Sequence, residues 1–283
     1  MKKYFSLIVT AALFVGTGMN GFSQDPISIT NQMFANIKSI KSVQYSFDSK
    51  ERVNGKIIHE ASDFKMNMQP FKAYMYQHTP TKGIEVLYLA GANSGKAKIN
   101  PAAFPWVTLN LDPEGSLMLD KHHHSLFDGG FAYTTSLLEF LLNKYKEQSS
   151  KLIINNGLVK MQGADCYYFT LLNPNYRMTS YTVGTGETPL TIAKKLKLNY
   201  FCILENNPHI KGIGKITPGT KLTLPNDYAS KMELYIHKNM LYPVYIKIYD
   251  LKGLYEEYTF TNVEINPVFK SDVFSADNPQ YKF

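Results

Sequence analysis

Residues 232–248 read MELYIHKNMLYPVYIKI. Met232, Leu234 and Ile236 fall on one side of an extended chain, and so do Val244, Ile246 and Ile248. A period of two marks a strand with one buried face. Leu251-Lys252-Gly253 then turns the chain into a last strand, Leu254 to Ile265. Further back, Phe64-Lys65-Met66-Asn67-Met68 alternates cleanly, and Ile84, Val86 and Tyr88 continue the pattern. Gly55, Pro70, Pro80 to Gly83 and Gly91 to Gly95 punctuate these stretches as turns. Successive alternating runs joined by short turns predict an antiparallel sheet. An aromatic content of 13% suits it.

Helices are fewer. Met33, Phe34, Ile37 and Ile40 predict a helix from Asn31 to Ile40. Ser136 and Glu139 have the form of a capping box. Leu137, Leu138, Leu141, Leu142 and Tyr145 give the helix after it one apolar stripe. Between residues 100 and 130, prolines and glycines predict a long irregular excursion. Strands resume at Leu152 to Ile154, Leu158 to Gln162 and Cys166 to Leu172. The predicted class is α+β.

The first 23 residues have the form of an export signal: Lys2-Lys3, a short apolar run from Tyr4 to Val15, then Gly21 and Ser23. No later stretch is long and apolar enough to span a membrane, so no transmembrane segment is expected after cleavage. The formal net charge is +7. Its basic residues do not gather into one run, which argues against nucleic acid as a partner. An exported protein with a mild positive charge points instead to an anionic wall or membrane surface. The two cysteines, Cys166 and Cys202, are too few for a disulfide scaffold or a four-cysteine zinc site. They are small buried hydrophobes or a single pair.

The chain changes character at Pro174. Residues 181–225 hold two short helical patterns between strand-like ends. Thr188 can cap a helix whose first residue is Pro189, and Asn199 can cap the second. Alternation stops before this stretch and resumes after Asp227, so a small module is inserted between two neighbouring strands of a larger sheet. Tyr181-Thr182-Val183-Gly184-Thr185-Gly186-Glu187-Thr188 matches the opening of a LysM domain, with Glu187 in place of the usual Asp. Ile192-Ala193-Lys194-Lys195, Leu204, Asn207-Pro208 and Ile216-x-Pro218-Gly219-x-x-Leu222-x-Leu224-Pro225 follow at that family's spacing. The module resembles LysM. The resemblance implies binding of peptidoglycan or chitooligosaccharide between two loops. These map to Gly184, Thr185, Gly186, Glu187 and Thr188, and to Pro208, His209, Ile210 and Lys211.

Met232 to Lys238, Leu241-Tyr242-Pro243-Val244, Asp250-x-x-Gly253, Tyr258-Thr259-Phe260 and Asn262-Val263 are similar to the C-terminal strands of the lipoprotein carrier LolA and its relatives. That resemblance implies a curved antiparallel half-barrel with helices on its concave side. It also implies a cavity for an acyl chain, of a lipid or a lipoprotein. Phe64, Met66, Met68, Tyr167, Phe169 and Leu171 sit on consistent apolar faces and could line it. The favoured alternative is that they form the core that any half-buried sheet needs. The resulting division is a signal peptide at 1–23, a discontinuous half-barrel at 24–177 and 228–283, and the LysM-like module at 178–227.

Catalytic patterns are scarce. His59-x-x-x-Asp63 and His122-x-His124 together resemble the zinc ligands of LytM-like peptidoglycan endopeptidases. In the alternative reading His122 to His124 are a solvated loop. Gly91 to Lys96 is one residue short of a phosphate loop and reads as a turn. No G-x-S-x-G is present, and nothing calls for a cofactor or a metal. The expected function is a non-enzymatic envelope protein that binds wall glycan and an apolar or lipid ligand. The alternatives are a zinc endopeptidase and a scaffold that binds another envelope protein.

Overall fold

A computed structural model describes residues 25–283; the export signal lies outside the described residues. Helix α1, Pro26–Ser39, begins five residues before the apolar spacing predicts. Asp25 supplies the reason: its carboxylate accepts from the backbone N–H groups of Ile27 and Ser28, and Pro26 occupies the first turn. The chain then makes β1 (Ser42–Val53), β2 (Lys56–Met68), β3 (Phe71–Thr79), β4 (Glu85–Leu89), β5 (Ala97–Asn100) and β6 (Leu109–Leu111). The excursion predicted between 100 and 130 holds β6 and the single turn α2 (Ser116–Leu119). Strands of three or four residues are too short for alternation to register.

Helix α3, Ala132–Lys144, starts one turn earlier than the expected capping box. Ser136 lies inside the helix, where its hydroxyl donates to the Tyr133 carbonyl, and Glu139 pairs outward with Lys38 at 2.6 Å. The turn α4 (Ser149–Leu152) leads into β7 (Ile153–Met161) and β8 (Ala164–Leu172). The two strands expected around residues 152–162 are one strand with an irregularity between Asn155 and Leu158, where Gly157 takes a φ of 91°.

After β8 come β9 (Met178–Thr182), α5 (Pro189–Leu196), α6 (Tyr200–Asn206) and β10 (Lys221–Pro225). Thr188 and Asn199 cap α5 and α6 as their positions predict. β9 and β10 pair only with each other among the described residues. β11 (Lys231–His237), β12 (Pro243–Asp250) and β13 (Gly253–Ile265) complete the chain's strands. β11 pairs with β8, Lys231 opposite Leu172 and His237 opposite Cys166, so the βααβ unit interrupts a single antiparallel pairing. The large sheet has eleven strands in the order β6-β5-β4-β3-β2-β1-β13-β12-β11-β8-β7.

One end of that sheet is covered. Met33, Phe34 and Ile37 of α1 and Leu137, Leu138 and Leu141 of α3 are buried in one cluster with Phe169, Met232, Leu234, Ile236, Ile246 and Ile248. The other end, β2 to β6, has no long helix on it and faces the chain between β6 and α3.

The βααβ unit is docked firmly. Its Ile192, Leu198, Phe201 and Ile203 share a core with Val53 of β1, Tyr255 of β13 and Leu119 of α2. Glu205 of α6 lies 3.6 Å from Arg52, whose guanidinium also holds Asp250. The Tyr200 hydroxyl is 2.6 Å from the carbonyls of both Leu119 and His122. Cys166 and Cys202 are both free and sit in the two different cores. Deleting residues 178–227 and closing the gap with a short turn should leave the β8–β11 pairing intact but bare Val53 and Tyr255. We expect a folded sheet that melts cooperatively at a lower temperature than the full chain. A variant with no cooperative transition by circular dichroism would make the unit an inseparable part of one core.

Candidate functional site

The uncovered end of the sheet walls a cavity of about 430 Å³, within the range of small-molecule sites. Strand pairing sets its chemistry. Side chains directly opposite one another form rows across the inner face. The first row runs Tyr45, Phe64, Met75, Val86, Ile99 and Leu109 from β1 to β6, and every member lines the cavity. Two residues further along the strands, Phe260, Phe47, Ser62 and Gln77 stand opposite one another. The next row is Tyr258, Ser49 and Glu60, and the last pairs Glu256 with Glu51. Each step advances about 7 Å along the strands. The wall therefore grades from hydrocarbon through hydroxyl and amide to carboxylate.

The loop after α2 closes the acidic end. His122 Nδ1 sits 3.1 Å from Glu60, and His124 Nε2 sits 3.3 Å from Glu256; both rings line the cavity. His123 points the other way and is 2% exposed. Its Nδ1 is 2.8 Å from Glu256 and its Nε2 is 3.0 Å from the Arg52 carbonyl. Both nitrogens face acceptors, which only the doubly protonated ring satisfies. Glu256, wholly buried, also accepts from the Tyr228 hydroxyl at 2.8 Å and from the Asn199 side chain at 3.2 Å. Glu51 accepts from the His123 backbone N–H and the Tyr258 hydroxyl, both at 2.8 Å. Asp128 caps the short turn at Ser125.

Burial opposes charge on Glu256 and on the three histidines, and pairing overcomes it. Glu256 is held well below the usual carboxylate range by the two histidines beside it. His124 is raised to about 9 by Glu256, against its own desolvation. Glu51 and Glu256 raise His123, and Glu60 raises His122, each against desolvation.

The sequence-derived cavity residues distribute unevenly. Phe64 lines the cavity. Met66 is on the same face but fully buried, because Gly129 lies on it; a Cβ there would come within 3.2 Å of its Cε. Met68 faces a separate groove with Ile40, Val43 and Phe131. Phe169 and Leu171 belong to the helix-covered core, and Tyr167 packs against it. Strand β8 lies beneath the helices, far along the sheet order from β2 to β6.

His59, Asp63, His122 and His124 do not converge. His59 pairs with Asp48 and Asp63 with His78, both exposed, on the face opposite Glu60 and Ser62. A period of two puts His59 and Asp63 outside the sheet and the histidine loop inside. No group of three or more His, Cys, Asp or Glu among the described residues is arranged to hold a metal. His122 to His124 are not a solvated loop, since Glu51, Glu60 and Glu256 opposite draw the loop inward. Gly91 to Lys96 is a turn.

In the βααβ unit, Gly184 to Thr188 form the loop between β9 and α5, and Pro208 to Lys211 follow α6. Glu187 is engaged within its own loop. It accepts from the Gly184 N–H, the Tyr181 hydroxyl and Lys195, which lower it to about 2. Gly186 has a φ of 77°. Ile210 packs on the unit's core, and Lys211 donates to the Pro208 carbonyl.

A family model for proteins of unknown function, DUF1571, matches residues 40–183. The chain belongs to that family. The match spans β1 to β9 and so takes in most of the cavity wall. No curated protein matches the chain. Among solved structures, it is similar to the MucA/MucB complex of Pseudomonas aeruginosa (11% identity, TM-score 0.40, covering 88% of this chain and 60% of that one). It is also similar to the lipoprotein LppX of Mycobacterium tuberculosis (12%, 0.40, 86% and 96%) and to a putative outer membrane lipoprotein-sorting protein domain from Vibrio parahaemolyticus (10%, 0.31, 88% and 95%).

The histidine–glutamate cluster predicts a defined pH dependence. Groups raised in the fold stabilise fully below their ordinary pKa and lose that contribution as pH climbs, here between about 6.5 and about 9 for His124. Glu256 is lowered, so its contribution is full above the ordinary carboxylate range and fades in acid. The melting temperature should fall from near-neutral pH toward pH ~9. Glu256→Gln should flatten that fall and cost about 3–5 kcal/mol at neutral pH, because it leaves buried rings unpaired. A wild-type melting curve unchanged across this interval would exclude the charged cluster.

Proposed function

We propose that this protein is a non-enzymatic binding protein of the cell envelope, whose cavity takes the apolar chain of an amphiphile. The observation that carries the reading is the graded wall: a six-residue apolar row at one end, hydroxyls between, and carboxylates at the other. Such a surface matches a molecule with a hydrocarbon tail and a polar head. Leu117, which lines the cavity, is 75% exposed, and Phe104 and Trp106 in the preceding loop are 83% and 76% exposed. These exposed apolar groups suit a protein that meets lipid. No helix among the described residues is long and apolar enough to cross a membrane. The envelope location rests on the export signal read from Lys2 to Ser23.

The βααβ unit, in this reading, is a LysM-like module that holds the protein to peptidoglycan through the Gly184 to Thr188 and Pro208 to Lys211 loops. Its support is the run of sequence matches together with the strand–helix–helix–strand order. Glu187 braces the first loop from within.

Two measurements test these parts separately. Native mass spectrometry of mildly purified protein should show bound lipid, and Met75→Trp, which fills the middle of the first row, should remove it without unfolding the chain. Wild type free of any adduct, and unable to take up a fluorescent fatty-chain probe, would refute the cavity. For the module, Thr185→Trp is the better probe than Gly186→Trp, since Gly186 has a positive φ that tryptophan would strain. Wild type should co-sediment with insoluble peptidoglycan at a Kd of about micromolar to millimolar, and the variant at least several-fold more weakly. Equal sedimentation of the two proteins, or none, would remove the glycan reading.

A further inference from the structure

The charge of the cavity differs in sign from that of the whole chain. The protein carries a formal +7, yet no lysine or arginine lines the cavity among the described residues. Glu51, Glu60 and Asp128 do line it, and Glu256 lies directly beneath. The cations present are histidines already matched to carboxylates, His122 to Glu60 and His123 and His124 to Glu256. Four carboxylates against three rings leave the polar end negative even with every ring charged. Glu51 accepts from a backbone N–H and a tyrosine hydroxyl, and among the described residues no cation lies within salt-bridge distance of it.

An anionic head entering this end finds, among the described residues, no cation without a carboxylate partner, and it meets carboxylates inside a cavity walled largely by apolar side chains, where like charges repel strongly. A head that donates hydrogen bonds finds acceptors instead: the unused lone pairs of Glu51 and Glu60 and the hydroxyls of Ser49 and Ser62. Resting on the cavity reading above, we propose that the ligand is an amphiphile whose head donates hydrogen bonds and carries no negative charge, an amine or a hydroxyl-bearing group. Fatty-acid carboxylates and alkyl phosphates are selected against.

The test uses the full mature chain and an uncharged fluorescent probe of apolar cavities. The probe is displaced at neutral pH by four ligands of matched chain: decylamine, decane-1,2-diol, decanoate and decyl phosphate. The amine and the diol should displace it at concentrations about tenfold or more below those needed for the two anions. Comparison of amine with diol separates attraction to charge from hydrogen bonding alone, and either one leading supports the proposal. Glu51→Gln keeps an acceptor and removes the charge, so it should bring decanoate closer to the diol, each competitor being referred to the probe affinity measured in the same variant. If circular dichroism shows that variant unfolded, Glu60→Gln, whose ion-pair partner is His122, gives the same comparison. Decanoate or decyl phosphate displacing as well as the diol, in wild type, would overturn the charge selection and leave the cavity standing. Failure of the probe to bind at all would overturn the cavity itself.

Discussion

A single buried carboxylate, that of Glu256, joins the parts of this molecule. It stands on β13 opposite Glu51 of β1, and it takes bonds from His123 and His124 of the loop over the cavity, from Tyr228 after β10 and from Asn199 at the start of α6. A carboxylate removed from water in this way is tolerable only with complete pairing. These partners come from three different stretches of chain, so satisfying the charge requires all of them in place at once. Sheet, loop and βααβ unit are thereby fixed in one arrangement. The cost is visible nearby: the Tyr255 hydroxyl and Arg52 Nε are buried without partners, while Arg52 stacks on the Tyr255 ring at 5.1 Å.

The grading of the cavity follows from something simpler. Along one face of β1 the residues are Tyr45, Phe47, Ser49 and Glu51, and along β2 they are Phe64, Ser62 and Glu60. Because the two strands run in opposite directions, these gradients reinforce each other only in the register observed, with Phe64 beside Tyr45 and Glu60 beside Ser49. A shift of one residue would send each set to the other face. Register and ligand chemistry are therefore the same constraint.

Much of the sheet was legible from alternation, since β2, β11, β12 and β13 each carry a period of two, whereas β4 is buried on both faces. The capped helices of the inserted unit were legible from Thr188-Pro189 and Asn199. The cavity was only partly so. Phe64 and Tyr167 look alike in sequence, and what separates them is which end of the sheet the helices cover, a tertiary fact that local pattern does not encode. The histidine loop was misread for a related reason. Three consecutive polar residues suggest solvent, whereas their acidic partners, Glu51, Glu60 and Glu256, lie far away in the chain. A usable signal did exist: each of those glutamates sits on the inward parity of its strand, where an unpaired charge has no place.

The geometry of the loop explains why three histidines in a row can all be used. The loop bends at His123 and His124, which sends neighbouring rings to different sides. His122 and His124 turn to the cavity and meet Glu60 and Glu256, while His123 turns into the seam with the βααβ unit, against Phe201 at 5.1 Å and Tyr255 at 4.5 Å. Tyr200 then holds the loop's carbonyls at Leu119 and His122, and the Asn199 side chain donates to the carbonyl of His123. The first turn of α6 thus sets the height of the loop above the sheet. The rings that bound the polar end of the cavity are positioned from the inserted unit as much as from the sheet below them. Whatever the unit binds, it also serves as one wall support of the cavity, which gives a physical reason for it to be docked through a shared core instead of hanging from a flexible linker.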